Sequence, residues 1–152
     1  METAREFLGR KGGAVHSVRP TASVFAALEL MAQKNIGAVV VADENGKVHG
    51  IFSERDFARK AVGARKITEA TGVKEIMTTR VVSINPDTRI SECMALMTEK
   101  HIRHLPVLDG EKLVGLVSIG DVVKSLLSEQ EMTISQQAYK IDQLETYMSL
   151  TP

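Results

Sequence analysis

Residues 50–60 read GIFSERDFARK, and residues 115–125 read GLVSIGDVVKS. Both carry the pattern Gly-aliphatic-x-Ser-x-x-Asp, each after a run of strand-forming residues and before a helical pattern. The match extends outward from there. A slide of 66 residues lays Val15, Ser17, Pro20, Leu30, Met31, Lys34, Ile36, Val41 and Asp43 on Val81, Ser83, Pro86, Leu96, Met97, Lys100, Ile102, Val107 and Asp109. Past the loops DENGK and DGEK the slide becomes 65, and joins Lys47, Gly50, Ser53 and Asp56 to Lys112, Gly115, Ser118 and Asp121. The single length change falls in a glycine-containing turn, where it is well tolerated. One unit is written twice.

Each copy has the same expected order of elements. AVHSVRP and RVVSINP are short extended pieces ending at a proline, which biases the preceding residue toward β. Helices follow, with Val24, Ala27, Leu28 and Met31 in one copy and Ile90, Cys93, Met94 and Met97 in the other, at i, i+3, i+4, i+7 spacing. The runs GAVVVAD and HLPVLD read as buried strands, KVHGIFS and KLVGLVS as their neighbours across a turn, and a closing helix completes each copy. A unit of ~60 residues leaves apolar faces it cannot cover alone. The expected fold is therefore α+β, two β-α-β-β-α repeats packed sheet to sheet about a pseudo-twofold axis, plus a C-terminal helix. Repeat 1 is placed at 5–66, repeat 2 at 73–128 and a helical tail at 129–152, with VKEIMTT leading into the second repeat. In the tail, Ile134, Ile141 and Met148 fall seven apart, with Ala138 and Leu144 on the same side. That helix either folds back on its own domain or meets a partner subunit.

Nineteen basic residues balance nineteen acidic ones, so no global field recruits nucleic acid or an anionic membrane. Aromatics are 4% and Trp is absent, which leaves an aliphatic core. Cys93 is the only cysteine; it excludes an intramolecular disulfide, reads as a small buried apolar residue and suits a reducing cytoplasm. METAREFLGRKGG lacks the apolar stretch of a signal peptide, and no window approaches the ~18 apolar residues of a membrane span. The expectation is a soluble, cytoplasmic protein.

The doubled pattern resembles a tandem pair of CBS (cystathionine-β-synthase) domains, the Bateman module. KEIMTTRVVSINPDTRISECMALMTEKHIRHLPVLDGEKLVGLVSIGDVVKSL fits that family almost throughout, SERDFARK fits its first-repeat form, and the resemblance spans residues 5–128. CBS pairs resemble one another in forming disc-like homodimers through their helices, so a symmetric homodimer is the implied assembly.

The two Ser-x-x-Asp stretches admit two readings. As capping boxes, Ser53 and Ser118 accept from orphan N–H groups while Asp56 and Asp121 reach back, worth about 1 kcal/mol each. The same helix start also offers N–H groups and dipole charge to a phosphate, and its carboxylate can chelate two ribose hydroxyls. The resemblance implies the second use, since CBS pairs typically place such an Asp on the ribose of an adenine nucleotide. Ribose binding then falls to Asp121 and Asp56. Phosphate falls to the helix starts with Ser118, Gly120, Ser53 and Arg55, joined by Arg103, His104 and Lys11. By resemblance, the adenine lies against Ile36, Gly37 and Ala38 in one site and Ile102 and Arg103 in the other, with His16 and Val82 completing the walls. Glu54 disfavours a polyphosphate beside Asp56 unless it points outward, so the Asp121 site is expected to hold AMP-like ligands more tightly.

His101 and His104 stand i, i+3 without further ligands, so no metal is expected. No Gly-x-Ser-x-Gly, P-loop, Cys-x-x-Cys or dinucleotide fingerprint occurs, and no acid/base pair surrounds a reacting centre. The chain reads as a non-catalytic adenine-nucleotide sensor, for AMP first and for ADP, ATP or NAD(H) otherwise, that signals to a separate effector protein. A ligand-free CBS scaffold whose Asp residues only cap helices is the competing reading.

Overall fold

A computed structural model describes residues 1–12, 15–63 and 66–150. Thr3 opens the first helix, α1 (Ala4–Lys11), by accepting from the Glu6 N–H at 3.3 Å. The first repeat then runs β1 (Ser17–Val18), α2 (Val24–Lys34), β2 (Ala38–Ala42), β3 (Val48–Ser53) and α3 (Glu54–Val62). Its sheet has the order β1-β2-β3, with β1 parallel and β3 antiparallel to β2. A single 3-10 turn at Val73–Glu75 precedes the second repeat, α4 (Ile90–Lys100), β4 (His104–Asp109), β5 (Lys112–Ser118) and α5 (Ile119–Leu150). The duplication holds in fine detail. Asn35 and His101 end α2 and α4 in the left-handed region, at φ 53° and 55°. Each antiparallel pair also shifts register at the matching point, Val41/Ala42 and Val107/Leu108.

One expected strand is reduced. RVVSINP makes only an isolated parallel bridge, Ile84 to Val107, where AVHSVRP makes β1. In the first repeat the Val40 N–H donates to the His16 carbonyl at 3.4 Å. Its counterpart in β4 is Pro106, which has no N–H to give, so the ladder cannot extend toward Val82.

The two cores exchange their leading segments. Ala4 and Phe7 of α1 are buried with Ile90, Cys93, Met97, Leu105 and Val117 of the second repeat. Val73 and Ile76, which lead into the second repeat, are buried with Val24, Ala27, Met31, Val39 and Phe52 of the first. The same bonds anchor both: Ala4 N–H to Thr88 O at 2.8 Å and Ile90 N–H to Glu2 O at 2.9 Å, against Val73 N–H to Ala22 O and Val24 N–H to Thr71 O, both at 2.9 Å. Glu2 strengthens the first anchor, accepting from Arg10 at 3.0 Å and from the buried Ser125 hydroxyl of α5. Cys93 is fully buried, and burial pushes its thiol up to about 11. No described helix is long and apolar enough to cross a membrane.

The tail does not fold back. α5 continues as one helix through Leu150, and every described side chain from Gln130 onward is exposed.

Glycines admit the exchanged segments. A Cβ on Gly50 in β3 would stand 2.7 Å from the Thr78 carbonyl oxygen and 2.8 Å from the Met77 sulfur, and one on Gly115 in β5 would strike Leu8. Gly50→Ala is therefore expected to lower stability by about 1–3 kcal/mol. Gly9→Ala, on the open face of α1 with nothing within 4 Å, is expected to raise it by about 0.5–1 kcal/mol. Urea unfolding midpoints measure both.

Candidate functional site

Each closing helix starts where a strand pair ends. Ala38 pairs with Ser53 and His104 with Ser118, so the last residue of β3 or β5 lies beside the first of β2 or β4. Glu54 N–H donates to Gly37 O at 3.0 Å, and Ile119 N–H to Arg103 O at 2.8 Å. These bonds hold the first turns of α3 and α5 against the strand starts. Both capping boxes form. Asp56 Oδ2 accepts from Ser53 N–H at 2.9 Å and Asp121 Oδ2 from Ser118 N–H at 2.9 Å, while each Asp N–H donates to its serine hydroxyl at 3.2 Å.

Beyond the caps the two carboxylates differ. Thr78 donates its hydroxyl to Asp56 Oδ1 at 3.0 Å. Asp121 Oδ2 instead takes the Lys11 ammonium at 2.8 Å, and that ammonium also reaches Leu116 O at 3.3 Å. Among the described residues no protein group donates to Asp121 Oδ1. Burial pushes the Asp121 carboxyl up, but Lys11 and the Ser118 donors outweigh it and hold the group below the usual carboxylate value. Burial holds the His104 imidazole below its ordinary value, with Arg103 and Lys11 adding to the depression. Asp121 and Asp56 both pull it the other way, so His104 feels both carboxylates at once.

Both helix starts open on one cleft of about 860 Å³ between the repeats. Asp56, Ser53, Arg55, Asp121, Ser118, Gly120, Arg103, His104 and Lys11 all line it, as do His16, Ile36, Gly37, Ala38, Val82 and Ile102. Glu54 lines it too, its carboxylate 3.9 Å from where a Gly37 side chain would begin, so it does not point away. Sequence reasoning missed Leu8, Arg59, Thr78 and Arg80 on the same walls. Arg59 was findable, since it follows Arg55 by one helical turn and shares its face. Thr78 and Arg80 carried no such signal, because they reach the cleft only through the bridge between Thr78 and Ile51. Arg55, Arg59, Arg80 and Arg103 have no carboxylate in ion-pair range among the described residues. The cleft thus offers uncommitted guanidinium groups to an anion, and two partly satisfied carboxylates to hydroxyl donors.

A protein-family model described as CBS domain matches residues 13–63 and 73–128. The mitochondrial CBS domain-containing protein CBSX3 of Arabidopsis thaliana is 38% identical over 111 residues, covering 70% of this chain and 54% of that protein, about half its length. A solved protein with CBS domains from Burkholderia ambifaria is 46% identical, with a TM-score of 0.78 over 85% of this chain and 96% of that one. CBSX2, solved in complex with AMP, is 26% identical, with a TM-score of 0.71 over 84% of this chain and 98% of that one. This chain belongs to the CBS domain family and carries that domain twice.

Proposed function

We propose that the chain is a non-catalytic regulatory sensor that binds an adenine nucleotide between its repeats and signals to a partner protein. The observation that carries this reading is the pairing of Asp56 and Asp121, each in the first turn of a helix, on one cleft that also holds arginines with no ion pair among the described residues. Helix N-termini and arginines suit phosphate, and the carboxylates suit a ribose diol. The AMP complex of CBSX2 supports AMP as the first ligand to try, ahead of ADP, ATP or NAD(H). The working unit in this reading is a cytoplasmic homodimer, and the effector is a separate protein.

Asp121 implies a mechanism for sensing. A ribose bound there competes with Lys11 for the carboxylate, and a displaced Lys11 is then free for the phosphate. Because Lys11 ends α1, and α1 belongs to the core of the second repeat, that exchange links the cleft to the seam between the halves. Such a switch works only if the nucleotide prefers one arrangement over the other. One observation favours the competing scaffold reading: both carboxylates already satisfy their own caps.

The readings separate by melting temperature. AMP at 100 times its Kd is expected to stabilise the protein by about 2.7 kcal/mol, or roughly 5–10 °C at this size. Asp121→Asn and Asp56→Asn keep an oxygen for the cap but lose the charge that a diol needs. Each is expected to fold within about 1 kcal/mol of the parent, and the double variant is expected to lose the AMP shift. A double variant that melts like the parent and still responds fully to AMP would refute ribose binding. A parent unmoved by any adenylate would favour the scaffold.

The depressed Asp121 carboxyl sets a pH dependence. Its stabilisation is complete above the unfolded value of about 3.9 and drains away as pH falls through the lower folded value. Lys11→Met is expected to raise the Asp121 midpoint in a carboxyl NMR titration and to weaken that acid-side stabilisation. An unchanged midpoint would show that Lys11 does not hold the group.

A further inference from the structure

α5 carries an apolar stripe that none of the described residues covers. Val123, Leu127, Ile134, Ile141 and Leu144 are 40%, 55%, 65%, 56% and 61% exposed. With Gln130 and Gln137 they follow the alternating four-and-three spacing of a heptad seam. The stripe starts on the part of α5 anchored in the domain by buried Val122 and Ser125, and continues along the same helix onto the projecting part, with Gln130 and Gln137 as its polar positions. That projecting helix extends on the order of 30 Å. Most helical stability in proteins comes from packing an apolar face rather than from propensity, and this face is exposed along the projecting part.

We infer that the stripe is the seam of a parallel, in-register two-stranded coiled coil with a second copy of the chain. Three features choose this occupant. Ile134 and Ile141 fall at the position where β-branched residues favour two strands, with Leu144 at the complementary one. Gln130 and Gln137 meet their own counterparts only in a parallel, in-register pair, where amide can bond to amide. An antiparallel pair would set them against isoleucines and bury the amides unpaired. Lys140 flanks the seam opposite Glu145 of the partner subunit, and neither has an ion pair within the chain among the described residues.

This inference does not rest on nucleotide binding, and its test is run without nucleotide on the full chain. Sedimentation equilibrium is expected to find a dimer. Ile141→Asp is expected to raise the dimer Kd at least about 100-fold, with the domain's melting unchanged because the side chain is exposed. Lys140→Glu is expected to weaken the dimer about 3- to 10-fold, and adding Glu145→Lys to restore it within about twofold. Ile141→Cys is expected to oxidise to a cross-linked dimer, since the native Cys93 is buried and does not compete. A monomeric parent, or a dimer indifferent to Ile141→Asp, would overturn the seam. A dimer with neither charge-swap rescue nor cross-linking would overturn the parallel register.

Discussion

Phe7 and Ala4 fill the core of the second repeat, while Val73 and Ile76 fill the core of the first. The rest of the structure depends on that exchange. A unit of ~60 residues has too little interior for its apolar faces, so each half borrows the short segment that leads into the other. The strands accept it only because Gly50 and Gly115 leave room for Met77, Thr78 and Leu8. Burial of these segments therefore fixes how the halves sit, and with it the width and lining of the cleft. Lys11 and Thr78 reach the two carboxylates because each lies at the end of a borrowed segment.

The repeat makes the scaffold symmetric, and the side chains set on it make the two sites unequal. The strand starts, left-handed helix ends and capping serines recur at matching places. Side chains on that frame do not: Ala38 faces His104, Glu54 faces Ile119, and Arg55 faces Gly120 across the pseudo-twofold relation. One carboxylate is held by a hydroxyl and the other by an ammonium. The first partner is a neutral donor and the second a charged one. Two sites built on the same turn can thus favour different ligands, or the same ligand with different strength.

Much of this was legible in the residues. The 66-residue slide placed the strands and helices, and the Ser-x-x-Asp pattern located both helix starts, because capping chemistry is local to a few residues. Helix α1 went unread, although AREFL at 4–8 and VKEIM at 73–77 share their acidic and apolar positions. Those segments lie 69 apart rather than 66, so they fall out of phase with the repeat that reveals everything else. The proline at position 106 was visible too, but its effect on the neighbouring ladder depends on which strand lies alongside.

By itself the sequence determined the repeat, the order of elements within it, the aliphatic character of the core and the two acidic helix starts. The repeat follows from a match of spacing across 66 residues, and the others from composition and spacing within one turn or one strand. Only the tertiary structure decided which half buries which segment, that Arg80 and Thr78 share a wall with Arg55, that Lys11 grips Asp121, and that α5 runs on with its stripe uncovered. Those outcomes depend on contacts between residues far apart in the chain. They are settled when apolar surface is buried as a whole, and no local pattern encodes which distant partner will do the burying.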